Sequence, residues 1–351
     1  MVMAALLGLS YLSAYISPQY FWPVALLGLA YPFLLIINVL FVILWAVKLD
    51  LRFLLSLAMI IAGWSVLMRF VQVDFSFSKK NTPHETQFKL LDYNVRLFNA
   101  FRWEKNPRTK AEIFEFIRSQ SPDIVCMQDF YTRQKGSYSE TEIAKQLSLT
   151  PHRYIAYSSQ KNNGSNFGIA TFSKYPIVNK GVIRFEKSFN LSIFTDIVVN
   201  GDTFRIYNNH LQSIKFLKRD YDFMDSLKLK YDQERVKGMK SIGYRLKLAF
   251  KSRALQAQTI AKHIASSPYP VVVCGDFNDT PLSYTYNTIS KGLNDAFVES
   301  GWGMGKTYSG KFPSYRIDYI LTDKLLHSES FKTFNPKLSD HYPIMCNIWK
   351  D

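Results

Sequence analysis

The chain has 351 residues and a formal charge of +15, with 43 Lys and Arg against 28 Asp and Glu. That length is enough for a sizeable core, and the basic balance favours polyanionic partners such as nucleic acid or anionic lipid. The 3 cysteines, Cys126, Cys274 and Cys346, each sit in an apolar, strand-like run, which argues for buried packing and against disulfides or a cysteine metal cluster.

From Met1 to Val71 the only charged residues are Lys48, Asp50, Arg52 and Arg69, whereas all other charge begins at Asp74. The two regions therefore face different solvents. Met1 to Ile16 is apolar but reaches only about 24 Å as a helix, short of the ~30 Å hydrocarbon core of a bilayer. Phe21 to Val47 is long enough to cross with tilt, and Phe53 to Met68 makes a third apolar segment. Residues 1–71 are thus expected to form a transmembrane region of about three helices, the anchor of an integral protein of a bacterial-type inner membrane. A cleaved signal peptide is the competing account of the first segment, which lacks a basic n-region, and a buried helix pair is the soluble alternative. The basic loop Lys48 to Arg52 would stay cytoplasmic and send the C-terminal region to the extracytoplasmic side, while Arg69, Lys79 and Lys80 pull the other way.

Residues 72–86 are polar and read as a linker, with a folded domain over 87–351. Strands are expected at Phe88 to Val95, Ile124 to Met127, Tyr154 to Tyr157, Gly168 to Phe172, Ile193 to Val199, Thr203 to Asn208, Val271 to Cys274, Ile317 to Leu321 and Ile344 to Trp349. Helical spacing runs through Lys110 to Ser119, Glu140 to Leu147 and Ser252 to Ala265. This mixture predicts an α/β fold of two packed sheets flanked by helices.

Short polar clusters close several of these strands: Asn94; Gln128-Asp129; Asn208-Asn209-His210; Gly275-Asp276-Phe277-Asn278-Asp279; Arg316-Ile317-Asp318; and Ser339-Asp340-His341. Singly, each could be a turn or a cap. Together they gather carboxylates, amides and imidazoles, groups that can hold a metal, take a proton and donate to an oxyanion. Oxygen donors without cysteine favour Mg²⁺ or Mn²⁺ over zinc.

In this order and at these separations the clusters resemble the endonuclease/exonuclease/phosphatase superfamily, with a supporting match at Gly168 to Ile177. The resemblance covers about three quarters of the chain and implies a four-layer α/β sandwich with two packed mixed β-sheets. It also implies a metal-dependent phosphoesterase in which His341 activates water and Asp318 orients its imidazole. Asp276 and Asn278 would position the water and a phosphate oxygen, and His210 would donate to the phosphoryl group. Asn94 and Asp129 are the expected metal ligands, with Asp340 in support. Gln128-Asp129 stands where the family usually has Gln-Glu, so the metal carboxylate is one methylene shorter.

Between His210 and Arg253 lies an insertion with net charge +7 over Lys215 to Arg253, interleaved with Tyr221, Phe223, Tyr231, Tyr244 and Phe250. Such a segment can track phosphates and stack bases, lie on anionic headgroups, or form a solvated lid. The expected function is a membrane-tethered, nuclease-like phosphodiesterase. The alternatives are a phospholipid or sphingomyelin-type phosphodiesterase and a catalytically weak scaffold that binds polyanions.

Overall fold

The computed structural model describes residues 1–73, 85–103, 105–186, 188–217, 220, 233–310 and 315–350. Most of the expected linker, at 74–84, and most of 218–232 in the basic insertion, with Tyr221, Phe223 and Tyr231, lie outside the described residues. Helices α1 (Val2–Tyr11), α2 (Pro18–Phe21), α3 (Pro23–Val47), α4 (Phe53–Ala62) and α5 (Trp64–Leu67) come first. Strand β1 (Thr86–Asn94), α6 (Thr109–Gln120), β2 (Ile124–Arg133), α7 (Glu140–Gln146), β3 (His152–Gln160), β4 (Ser165–Ser173), β5 (Ile177–Arg184), β6 (Leu191–Val199) and β7 (Asp202–His210) follow. The chain continues through α8 (Gln233–Ala265), β8 (Val271–Asp276), α9 (Tyr284–Ile289), β9 (Leu293–Asp295), α10 (Ala296–Ser300), β10 (Asp318–Asp323), β11 (Leu326–Thr333) and β12 (Ile344–Lys350).

These elements form two compact units, one of Met1–Arg69, Gln212–Thr259 and Asn278–Ile289, the other of Phe70–Leu211, Ile260–Phe277 and Ser290–Asp351. In the first, α3 is 25 residues long, about 37 Å at helical rise, and leaves Phe33, Ile36, Leu40, Ile43 and Val47 exposed. Of the three expected spanning helices, α3 is the one among the described residues with enough length and apolarity to cross a membrane. The first segment is shorter than expected because its helix gives way to a tight turn at Leu12–Ala14, and the third is split at Gly63. Both short helices pack on α3 or on each other: Asn38 in α3 donates to the Met3 carbonyl, and Tyr11 donates to the Met59 carbonyl. The same unit fastens this helical group to later segments. Ser13 Oγ donates to the Leu282 carbonyl at 2.8 Å, Gln19 to the Lys251 carbonyl at 2.6 Å, and Arg69 lies over the Tyr286 ring.

The second unit holds two six-stranded mixed sheets, ordered β11-β12-β1-β2-β4-β3 and β5-β6-β7-β8-β10-β9. Alternation along each strand sends one set of side chains between the sheets: Phe88, Leu90, Ile124 and Cys126 meet Ile197, Phe204, Ile206, Val272 and Ile320. The opposite set, including Leu91, Tyr93, Val125 and Met127, packs under Ile113, Phe114 and Ile117 of α6 and Ile143 of α7. On the far face of the other sheet, His263 at the end of α8 meets Tyr207 and Phe194. Helices therefore flank both sheets, which is the expected four-layer sandwich. All three cysteines are free and buried.

Two parallel pairings fix where the polar strand ends collect. Strands β1 and β2 run parallel, as do β7 and β8, each pair joined by a crossover that contains a helix. In this register Asn94 pairs with Gln128 and His210 with Asp276, while antiparallel β10 sets Asp318 opposite Asp276. The close approach of β7 to β8 requires Gly275, whose φ is +127° and whose absent Cβ would lie 2.1 Å from the Asn209 carbonyl oxygen. Gly275→Ala will lower unfolding stability by at least about 2 kcal/mol, from backbone strain and overpacking together. Denaturant unfolding of the full chain checks this.

Candidate active site

A buried carboxylate sits at the centre of these strand ends. Asp276, 1 % exposed, accepts from Asn94 Nδ2 at 3.0 Å and lies 3.7 Å from both His210 Nε2 and His341 Nε2. The other nitrogen of His341 lies 3.0 Å from each Asp318 oxygen, so Asp318 fixes Nδ1 as the protonated nitrogen and turns Nε2 toward Asp276. The Asp318 amide in turn donates to Thr307 Oγ1, and Ser339 Oγ accepts from the His341 amide while donating to the Asn94 carbonyl. Burial disfavours the charged imidazolium of His341, but Asp318, Asp276 and Asp340 together outweigh it and hold the pKa well above the ordinary histidine value.

Asp129 reaches the cluster by a different device. The β2–β4 register slips between Met127 and Phe130, and within this bulge Asp129 takes a left-handed φ of +48°. Its carboxylate is thereby turned out of the sheet, partly exposed, with Oδ1 3.6 Å from His210 Nδ1. Asp340 is engaged by Arg96, whose Nε lies 3.3 Å away. Asn278, two residues beyond Asp276, also has a left-handed φ of +53° and falls in the first unit. The second unit thus brings together Asn94, Asp129, His210, Asp276, Asp318 and His341, with Asp340 beside Arg96.

Among the described residues, Asp276, Asp318 and His341 form the group whose potential ligand atoms all lie within 4.8 Å of one another. With Asn94, Asp129 and Asp340 nearby, the donors are carboxylate and amide oxygens plus imidazole, and no thiol takes part. This chemistry fits a hard divalent cation.

Two features were not flagged by sequence. Asp92, buried in β1, accepts from Gln128 Nε2 at 2.7 Å, and the same nitrogen donates to Asn208 Oδ1 at 2.8 Å, tying the two sheets together beneath the site. A carboxylate inside Leu90-Leu91-Asp92-Tyr93 was the available signal. The second is Arg96, which opens a turn in which Arg96, Leu97, Phe98 and Asn99 all have left-handed φ, between +44° and +55°. Such residues cost roughly 1–2 kcal/mol each, so the surroundings must enforce the turn. Phe98 is buried between Phe114 and Phe130, and Asn99 donates to the Asn106 carbonyl.

In metal-free protein, Asp318→Asn will lower the His341 pKa, because it removes the nearest carboxylate that stabilises the imidazolium. A pH titration of the imidazole nitrogens by NMR checks the sign, and an unchanged titration would contradict the clamp described above.

Comparison with known proteins bears on the family and the fold. The family model described as the Endonuclease/Exonuclease/phosphatase family matches residues 93–341, and a second, described only as a domain of unknown function, matches residues 1–70. The CCR4-Not complex 3'-5'-exoribonuclease subunit Ccr4 of Emericella nidulans is 26% identical over 318 residues, covering 77% of this chain and 44% of that protein. The chain therefore spans less than half the length of this relative. An endonuclease/exonuclease/phosphatase from Beutenbergia cavernae shares the fold with a TM-score of 0.56 at 16% identity, covering 76% of this chain and 72% of that one. The human Nocturnin catalytic domain with bound sulfate gives 0.54 at 20% identity, covering 76% and 95%. A protein from Bacteroides vulgatus gives 0.56 at 17% identity, covering 76% and 100%. The matched span runs from the end of β1 to His341 and takes in most of the chain, which belongs to the Endonuclease/Exonuclease/phosphatase family.

Proposed function

We propose that the chain is a divalent-metal-dependent phosphodiesterase acting on nucleic acid from a membrane-tethered position. Family membership supplies the coarser statement, hydrolysis of phosphate ester bonds. The observation that carries the finer one is the clamp of Asp318 on His341 with Nε2 facing Asp276. In this reading His341 Nε2 takes the proton of the attacking water, and Asp318 holds the imidazole in one tautomer and stabilises the imidazolium that results. Asp276 and Asn278 position the water and a phosphate oxygen, while His210 donates to the phosphoryl group. Asn94 and Asp129 would hold a Mg²⁺ or Mn²⁺ ion, with Asp340 in support, and the ion would neutralise charge on the phosphoryl oxygens. The exposed apolar side chains of α3 support integral membrane attachment, and the basic Lys48 to Arg52 loop supports an extracytoplasmic catalytic region in a bacterial-type inner membrane. The same apolar surface favours a second reading, in which the diester belongs to a phospholipid.

Turnover of bis-p-nitrophenyl phosphate, single-stranded and plasmid DNA, and phospholipid vesicles by the full chain, with Mg²⁺, Mn²⁺ or EDTA, tests the proposal. EDTA will abolish hydrolysis, and His341→Ala will lower it by about 10²–10⁴-fold while thermal melting stays cooperative. Preferential cleavage of vesicle lipid would establish the second reading, and a folded chain inactive on all four would leave a polyanion-binding scaffold. Asp129→Ala will raise the metal concentration needed for half-maximal turnover, whereas an unchanged requirement would remove Asp129 from the ligand set.

A further inference from the structure

Beside the catalytic cluster the chain displays aromatic side chains that the core does not require. Phe101 and Trp103 are 53% and 49% exposed, with ring centroids 5.5 Å apart. Phe101 stacks on Phe167 with an interplanar angle of 10° and touches Tyr131, which continues to Tyr138. Cations accompany these rings: Lys161 lies 5.2 Å from the Phe167 centroid, and Lys110 lies 4.4 Å from that of Tyr138. Next to Trp103 in the chain, Arg102, Lys105 and Asn106 line a cleft of about 550 Å³ together with Tyr138.

One side chain links this strip to the reacting groups. Arg96 reaches Asp340 with Nε at 3.3 Å while its guanidinium carbon lies 5.3 Å from the Trp103 centroid. The left-handed turn Arg96–Asn99, pinned by Phe98 in the core, sends Arg96 to the cluster and delivers Phe101 and Trp103 to the surface beside it.

We infer that Trp103 and Phe101 form a stacking subsite for a base of single-stranded nucleic acid whose adjoining phosphate lies at the His341 cluster. This deepens the nucleic-acid reading proposed above and rests on it. A base must be unstacked from its neighbours to lie on these rings, which selects single strands, and each such stack is sequence-tolerant because every base has a π-face. Arg96 and the flanking Lys and Arg residues supply the charge that meets the backbone. Exposed rings alone would serve a lipid surface equally well, but cations at the ring faces and the direct link through Arg96 to Asp340 favour a strand running toward the catalytic groups.

The test is binding of a labelled single-stranded oligodeoxythymidine to the full chain in EDTA, followed by fluorescence anisotropy, so that no turnover is needed. Trp103→Ala and Phe101→Ala will each weaken binding by about 5–100-fold, and Trp103→Phe will restore most of the loss. Thermal melting of each variant reports on the fold. Unchanged affinity in the two alanine variants overturns the subsite, as does a loss confined to binding of phosphatidylglycerol vesicles. Metal-dependent cleavage of the same oligonucleotide by the unaltered chain is scored separately, so failure of the subsite and failure of the catalytic reading are distinguishable.

Discussion

A carboxylate removed from water must be met by donors, and Asp276 is where this chain concentrates that demand. Its oxygens face the Asn94 amide and two imidazoles, and one of those imidazoles is held by a second buried carboxylate, Asp318. The partners come from the ends of β1, β7 and β10 and from the segment before β12, so the arrangement exists only if both parallel pairs and the β8–β10 pairing are in register. The network of Asp92, Gln128 and Asn208 lies across the two sheets beneath it and couples their spacing to the same site. Burial on this scale destabilises isolated charge and rewards complete pairing, which explains why polar groups are dense at a place where the core would otherwise be apolar.

The polar clusters were legible because apolar strand runs give way to polar residues at Asn94 and Asp276 and because Ser339-Asp340-His341 directly precedes the apolar run of β12, and the order of those clusters carried the family resemblance. What escaped sequence reading depends on contacts distant in the chain or on surfaces with weak patterning. Strand β5, Ile177–Arg184, lies mostly exposed at a sheet edge, and β11, Leu326–Thr333, is largely polar, so neither shows a clean period. Helix α8 starts 19 residues before the expected Ser252, because Gly238, Gly243 and closely spaced lysines obscure its apolar side. No local pattern announces the bulge at Asp129 or the left-handed turn at Arg96, since tertiary packing imposes both backbone conformations.

That bulge bears on the shortened side chain at position 129. An aspartate has less reach than a glutamate, and here the residue sits in the bulge with its carboxylate 3.6 Å from His210 Nδ1. The Arg96–Asp340 pair adds a cation beside the same group of residues.

The apolar helices at the N-terminus are bound up with the segment that follows β8. Ser13 and Arg69 grip the stretch around Leu282 and Tyr286, and Gln19 grips α8 at Lys251. This helical group is consequently not a detachable module within its unit. Deleting the first seventy residues would strip partners from Leu282, Tyr286 and α8 within the unit they share, leaving apolar surface and unsatisfied carbonyls directly downstream of Asp276. Recombination or engineering that treats the first seventy residues as a removable leader would cut through the packed interior of that unit.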